Sequence, residues 1–235
     1  MKRLMQIFDE KTALKNVMKD PVFRDYYASE REKIKRGIIW KKNPNLHISN
    51  RANALVPETG DATLFFRVLP APPSTGHLVA HELQHLVLDE TRKIPGLRIL
   101  DSRAAGYCAG LTSGVQDLVV ESDLTDFGFD IVDDFMIEME GIKNNLLTMP
   151  PPDLLWLAIN FASYRADYDF ISTEFDFDDD FFGTWFSSRY PNVLETADEI
   201  YQKLKAVDIS SNDSIKAYLQ WALTNYNITG ATIDN

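Results

Sequence analysis

The chain is poor in cysteine and in long apolar runs. It has a single cysteine, Cys108, among 235 residues, so it cannot form a disulfide within the chain. A protein of this kind is typical of a reducing compartment, which predicts a cytoplasmic location. No apolar run approaches the roughly 18 residues that a membrane-spanning helix needs. The first ten residues turn acidic before the apolar region of a signal peptide could form. We therefore expect no membrane partner.

An excess of basic residues is also lacking. The chain has 24 Lys and Arg against 35 Asp and Glu, which gives a formal net charge of -11. A general nucleic-acid binder needs a basic face to neutralise phosphates, so no nucleic-acid partner is expected. The composition, 45% hydrophobic and 25% charged, is typical of a globular protein and excludes wholesale disorder.

The N-terminal third of the chain predicts a small β-sheet. Residues 1–35, rich in charge, are interpreted as one or two surface helices broken near Pro21. Extended segments are expected at 37–40, at 46–48 and most clearly at 63–69, where apolar residues alternate with polar ones before a run of prolines.

The remainder of the chain predicts helices. They are expected from Ser74 or Thr75 to about residue 90, and over 101–121, 130–147, 153–169, 193–206 and 213–226. The segment 174–182, which mixes acids with phenylalanines, is interpreted as a loop. Three prolines at 150–152 cannot be helical and predict a boundary. The sequence thus predicts an α+β fold, with a sheet-containing domain over 1–149 and a mainly helical lobe over 153–235 packed against it.

One predicted helix carries a motif whose residue spacing suits metal binding. His81 and His85 stand at i and i+4, so both imidazoles leave the same face and can reach one ion at Zn–N distances of about 2.1 Å. Glu82 lies about 100° round the helix, where it can reach a water on that ion without being a ligand. Such a water has a pKa near 7, and a carboxylate can take its proton as it attacks a carbonyl. The opposite face is apolar and predicted to be buried (Val79, Leu83, Leu86 and Val87).

The segment from His81 to His85 resembles the active-site helix of the zincin metallopeptidases. The resemblance implies that His81 and His85 bind Zn²⁺, that Glu82 is the general base, and that an edge strand beside this helix binds a peptide or protein substrate. It is strong over some fifteen residues and looser over 62–125, where the order of strand, helix and helix is similar. Residues 1–149 are accordingly predicted to be a zincin-like metal-binding domain.

A catalytic zinc site requires a third protein ligand. No histidine follows His85, so the remaining candidates are His47, His77, a tyrosine or a carboxylate. His77, one turn before His81, is interpreted as a residue that supports a ligand or faces the substrate. The third ligand is therefore expected on another element.

The next predicted helix offers two carboxylates. Its glycines at 106, 110 and 114 form a stripe that allows another helix to approach closely, and Asp117 and Glu121 fall on the same side. Close packing of this helix against the motif helix would bring one or both carboxylates towards the histidines. In gluzincin-type zincins a glutamate on such a helix is the third ligand, which makes Glu121 the first choice. In the alternative, Asp117 is the ligand and Glu121 lies behind it, holding a histidine in its tautomer.

These residues predict a zinc-dependent hydrolase, and the resemblance implies a metallopeptidase. A second hypothesis is a catalytically inactive zincin-like module that regulates or binds a partner, with zinc structural or absent. A third is a helical interaction protein in which the motif is accidental.

Overall fold

The computed structural model describes residues 5–46, 52–67, 76–149 and 152–234. Its contacts divide the chain into two compact units. The first unit comprises Met1–Lys93 and Val120–Leu147, and the second comprises Ile94–Val119 and Thr148–Asn235. The boundary predicted at residues 150–152 lies close to one passage between the units. The chain also crosses between the units after Lys93 and after Val119, and neither crossing was predicted. Residues 94–119, predicted to belong to the first domain, group with the second unit.

Within the described ranges, the first unit contains a four-stranded sheet. Its strands are β1 (Gln6–Phe8), β2 (Ile38–Lys42), β3 (Ala52–Leu55) and β4 (Ala62–Phe66). Their order is β1-β2-β4-β3, with β2 and β4 parallel and the other pairs antiparallel. The predicted small sheet is confirmed. The helical prediction is wrong at β1, and β3 was not predicted.

Strand β4, which precedes the motif helix, lies inside the sheet. Because it pairs with β2 on one side and with β3 on the other, both of its edges are hydrogen-bonded. Thr63, a polar residue of the predicted alternation, is only 6% exposed. Trp40 of β2 stacks on Phe66 with ring centroids 6.0 Å apart. Residues 47 and 48 of one predicted strand, and 68 and 69 of another, lie outside the described residues.

The first unit also holds the motif helix. Its helices are α1 (Glu10–Leu14), α2 (Pro21–Glu30), α3 (Gly76–Thr91), the end of α4 (Ala105–Asp126) and nearly all of α5 (Val132–Thr148). The predicted break near Pro21 is confirmed, because α1 ends at Leu14 and Pro21 begins α2. Asp20 caps the first turn of α2 by accepting from the Val22 amide. Helix α3 contacts α2 and the edge strand β3. Its predicted caps, Ser74 and Thr75, lie outside the described residues.

The second unit is mainly helical, as predicted. Most of α4 belongs to it, together with α6 (Leu154–Phe175), α7 (Phe181–Arg189), α8 (Leu194–Lys205), α9 (Asn212–Asn225) and the paired strands β5 (Gly96–Ile99) and β6 (Ala231–Asp234). The loop prediction for 174–182 is wrong at both ends, because α6 continues to Phe175 and α7 begins at Phe181. Helix α7 forms there because its Phe186 is buried and stacks on Phe161, with centroids 4.0 Å apart.

The glycine stripe of α4 faces α6. A Cβ at Gly110 would lie 2.8 Å from Cγ2 of Ile159, and one at Gly106 would lie 3.1 Å from Cδ1 of Trp156. The expectation that the stripe admits the motif helix is therefore corrected, since a smooth face shows where a helix can approach and not which helix does so. Within the described residues, no helix is both long enough and apolar enough to cross a membrane.

Candidate metal centre

Helix α3 is held by burial of one face. Val79, Leu83 and Leu86 are between 0% and 1% exposed, as the apolar pattern predicted. Since these residues are buried on the opposite side, the three histidines one turn apart leave the helix on its other face.

Gln84 of the motif helix fixes the rotation of α3 about its axis through hydrogen bonds to two other helices. The Tyr26 hydroxyl of α2 lies 3.1 Å from the Ala80 carbonyl oxygen and 3.0 Å from Oε1 of Gln84, and can donate to either. The amide of Gln84 in turn donates to Asp123 on the end of α4 at 2.8 Å. Because these contacts join α2, α3 and α4, the histidine face of α3 has a defined direction.

The two motif histidines meet through their Nε2 atoms. These atoms are 3.2 Å apart, with ring centroids separated by 4.9 Å. Two nitrogens bound to one tetrahedral zinc at about 2.05 Å are themselves separated by about 3.3 Å. The same distance fits one N–H···N hydrogen bond in the metal-free protein. The donor set and its spacing therefore fit a zinc ion.

A chain of hydrogen bonds lies behind this pair. Oε1 of Glu121 is 2.6 Å from Nδ1 of His81, and Oε2 of Glu121 is 2.8 Å from Nε2 of His77. The other nitrogen of His77 is 3.0 Å from Oδ2 of Asp134, in the first turn of α5. Glu121 thus contacts His81 on the side away from His85.

The cluster is nearly enclosed and strongly polarised. The side chains of His77, Glu121, Asp134 and His81 are 11%, 15%, 9% and 19% exposed. Burial alone lowers the pKa of His77, but the charge of Glu121 and the hydrogen bonds to Asp134 and Glu121 raise it to about 9. Burial likewise raises the pKa of Glu121, yet the charges and hydrogen bonds of His77 and His81 hold it well below its usual range.

The remaining predicted residues are placed as follows. Glu82 is 7% exposed and lies on the same helix as the two motif histidines. Asp117 lies one turn before Glu121 on α4 and belongs to the second unit. Whether Glu121 or Asp117 is the third ligand stays a prediction. His47 lies outside the described residues.

Asp134 was missed by the sequence analysis. Its signal was available in the sequence, because Asp134 stands between Ile131, which immediately precedes α5, and Phe135 of α5. Both of these residues are apolar and buried, and an acid in such a position needs a partner. It is 8% exposed, like its buried apolar neighbours.

Comparisons with known proteins give no relative for this chain. No family model, curated protein or solved structure matches it.

Proposed function

We propose that this protein is a zinc-dependent hydrolase, and specifically a metallopeptidase. The observation that carries the proposal is the 3.2 Å separation of the Nε2 atoms of His81 and His85, which suits two ligands of one tetrahedral ion. The third ligand is one of the two α4 carboxylates. The contact of Glu121 with Nδ1 of His81 favours the alternative in which Glu121 supports that histidine from behind.

Each residue has a defined task in this proposal. When bound, zinc supplies Lewis-acid chemistry, since it lowers the pKa of a water to about 7 and polarises a carbonyl. His81 and His85 supply neutral nitrogen ligands, and Glu121 keeps the proton of His81 on Nδ1. Glu82, which is 7% exposed and so shielded from bulk solvent, accepts the proton of the attacking water and passes it to the leaving amine.

The edge strand supports a peptide as the substrate. Strand β3 lies at the end of the sheet order and contacts α3. An extended peptide can add to such an edge through main-chain hydrogen bonds. Its Leu55 is 56% exposed and offers an apolar contact for a substrate side chain.

The low exposure of the cluster favours a second candidate function. Structural zinc sites are closed, whereas catalytic ones keep an open position. Because Glu121 and Asp134 are only 15% and 9% exposed, a zincin-like module that binds a partner and holds a structural zinc is the alternative.

Substitution of Glu82 separates these functions. The purified protein is expected to bind one equivalent of zinc and to cleave members of a fluorescence-quenched peptide library. Glu82→Gln should retain the zinc and lose about 10²-fold or more of the cleavage rate. Glu90→Gln is the matched control on the same helix, because Glu90 forms an ion pair with Arg36 at 2.8 Å and has no role in the proposed site. This variant should retain both the zinc and the cleavage rate.

Three results would each contradict part of this proposal. Zinc binding without cleavage of any peptide would favour the partner-binding module. Cleavage that survives in Glu82→Gln would remove Glu82 as the base. Less than a tenth of an equivalent of any transition metal in the wild-type protein would mean that the motif is accidental.

A further inference from the structure

We propose that His77 and Asp134 are positioning residues that act on His81 through Glu121. The inference deepens the proposed metal site and rests on it for its purpose. Four side chains from three helices form an unbroken series: Asp134 contacts His77, His77 contacts Glu121, and Glu121 contacts His81, at 3.0, 2.8 and 2.6 Å.

The partners of His77 define its protons. An ionised carboxylate only accepts hydrogen bonds, and His77 has one carboxylate on each ring nitrogen. With both carboxylates ionised, both nitrogens donate, which makes the ring an imidazolium in the metal-free protein. In the metal-free protein, His77 thus lies as a cation between two anions.

The partners of Glu121 define its orientation. Each of its two oxygens accepts from a different histidine, so rotation about its terminal bond would break at least one of the two contacts. Since its Oε1 faces Nδ1 of His81, the proton of that ring is held on Nδ1. The lone pair of His81 is then on Nε2, the atom that faces His85.

The location of the series explains why it acts as a unit. Its members come from the first two turns of α3, the end of α4 and the first turn of α5, and the side chain of each is at most 19% exposed. In such surroundings water cannot easily replace a missing partner. The loss of Asp134 should therefore be felt at His81, although they are separated by two intervening side chains.

The zinc affinity of variants in which one aspartate is replaced by the uncharged asparagine tests this inference. Asp134→Asn is expected to weaken zinc binding about 10- to 100-fold, measured by competition with a chromophoric chelator. Asp133→Asn is the matched control, because Asp133 is the exposed neighbour of Asp134 on the same helix, and it should bind zinc as the wild type does. Equal affinities of the wild type and Asp134→Asn would overturn the inference.

A double-mutant cycle shows whether Asp134 acts through Glu121. In a Glu121→Gln background, Asp134→Asn should weaken zinc binding no further, because the link to His81 is already broken. The same loss in both backgrounds would mean that Asp134 contributes only to general stability, and would overturn the inference. Unfolding in urea checks that each variant is folded.

The tautomer of His81 tests the inference in the metal-free protein. In ¹⁵N spectra of the metal-free wild type, His81 should carry its proton on Nδ1 and His77 should carry protons on both nitrogens. Asp134→Asn should give His81 a mixture of tautomers, and Asp133→Asn should not. A proton on Nε2 of His81 in the wild type would overturn the inference even if the protein proved to be a peptidase. The expected spectra in a protein that cleaves no peptide would refute the metallopeptidase and leave this inference standing.

Discussion

Replacement of Glu121 by glutamine should strongly destabilise the metal-free protein. Glu121 accepts two hydrogen bonds, at 2.6 and 2.8 Å, and is 15% exposed. A hydrogen bond to a charged group contributes about 1.5–3 kcal/mol, and removal of one partner of a buried ion pair costs about 3–5 kcal/mol. Glutamine keeps one acceptor oxygen but turns an N–H group towards the other histidine. We therefore expect the free energy of unfolding to fall by about 2–5 kcal/mol, a large share of the roughly 5–15 kcal/mol of a typical domain.

Urea unfolding in the presence of a chelator at neutral pH measures this loss. Glu140→Gln on α5 is the matched control, since the Glu140 side chain is 56% exposed, and it should change the free energy of unfolding by less than about 0.5 kcal/mol. The urea dependence of the unfolding free energy should be the same in both variants, so that only the midpoint moves. If Glu121→Gln were as stable as Glu140→Gln, the cluster would not be the tightly paired group described above.

Three further predictions concern stability. In the metal-free protein, the pKa of His77 is raised from 6.5 to about 9, so the stability that its protonated form contributes is complete below pH 6.5 and is lost as the pH rises through 9. The midpoint of urea unfolding should therefore fall between pH 6.5 and pH 9, and it should fall less in His77→Phe. Gly110→Ala should lower the free energy of unfolding by about 1–3 kcal/mol, because the new Cβ would lie 2.8 Å from Ile159, whereas Ala109→Ser on the exposed side should have little effect on the melting temperature. Tyr26→Phe should lower it by about 1–3 kcal/mol in urea, because Gln84 loses a buried donor, and an unchanged midpoint would show that this contact is dispensable.

The motif helix could be predicted because its information is local. The apolar positions of α3 repeat with the helical period, and the spacing of His81 and His85 follows from 3.6 residues per turn. The buried face of Val79, Leu83 and Leu86 is therefore as expected. The same local reasoning predicted strands β2 and β4, because each contains alternating or apolar residues.

Short elements were missed because their patterns are too brief to recognise. Strands β1 and β3 have three and four residues, and they are strands because β2 and β4 pair with them. Helix α7 begins in a segment of acids, and its formation depends on Phe161 of α6, against which Phe186 stacks. In each case the deciding contact comes from a distant part of the chain.

The placement of two imidazoles on one helical face, with a glutamate beside them, follows from the sequence, since it depends only on helical geometry. Tertiary structure alone decided which helix faces the glycines of α4, and that Glu121 meets Nδ1 of His81 rather than its other nitrogen. It also decided that His77 lies between Glu121 and Asp134. The physical reason is that a side chain's direction follows from its own helix, whereas its partner depends on how separate helices pack.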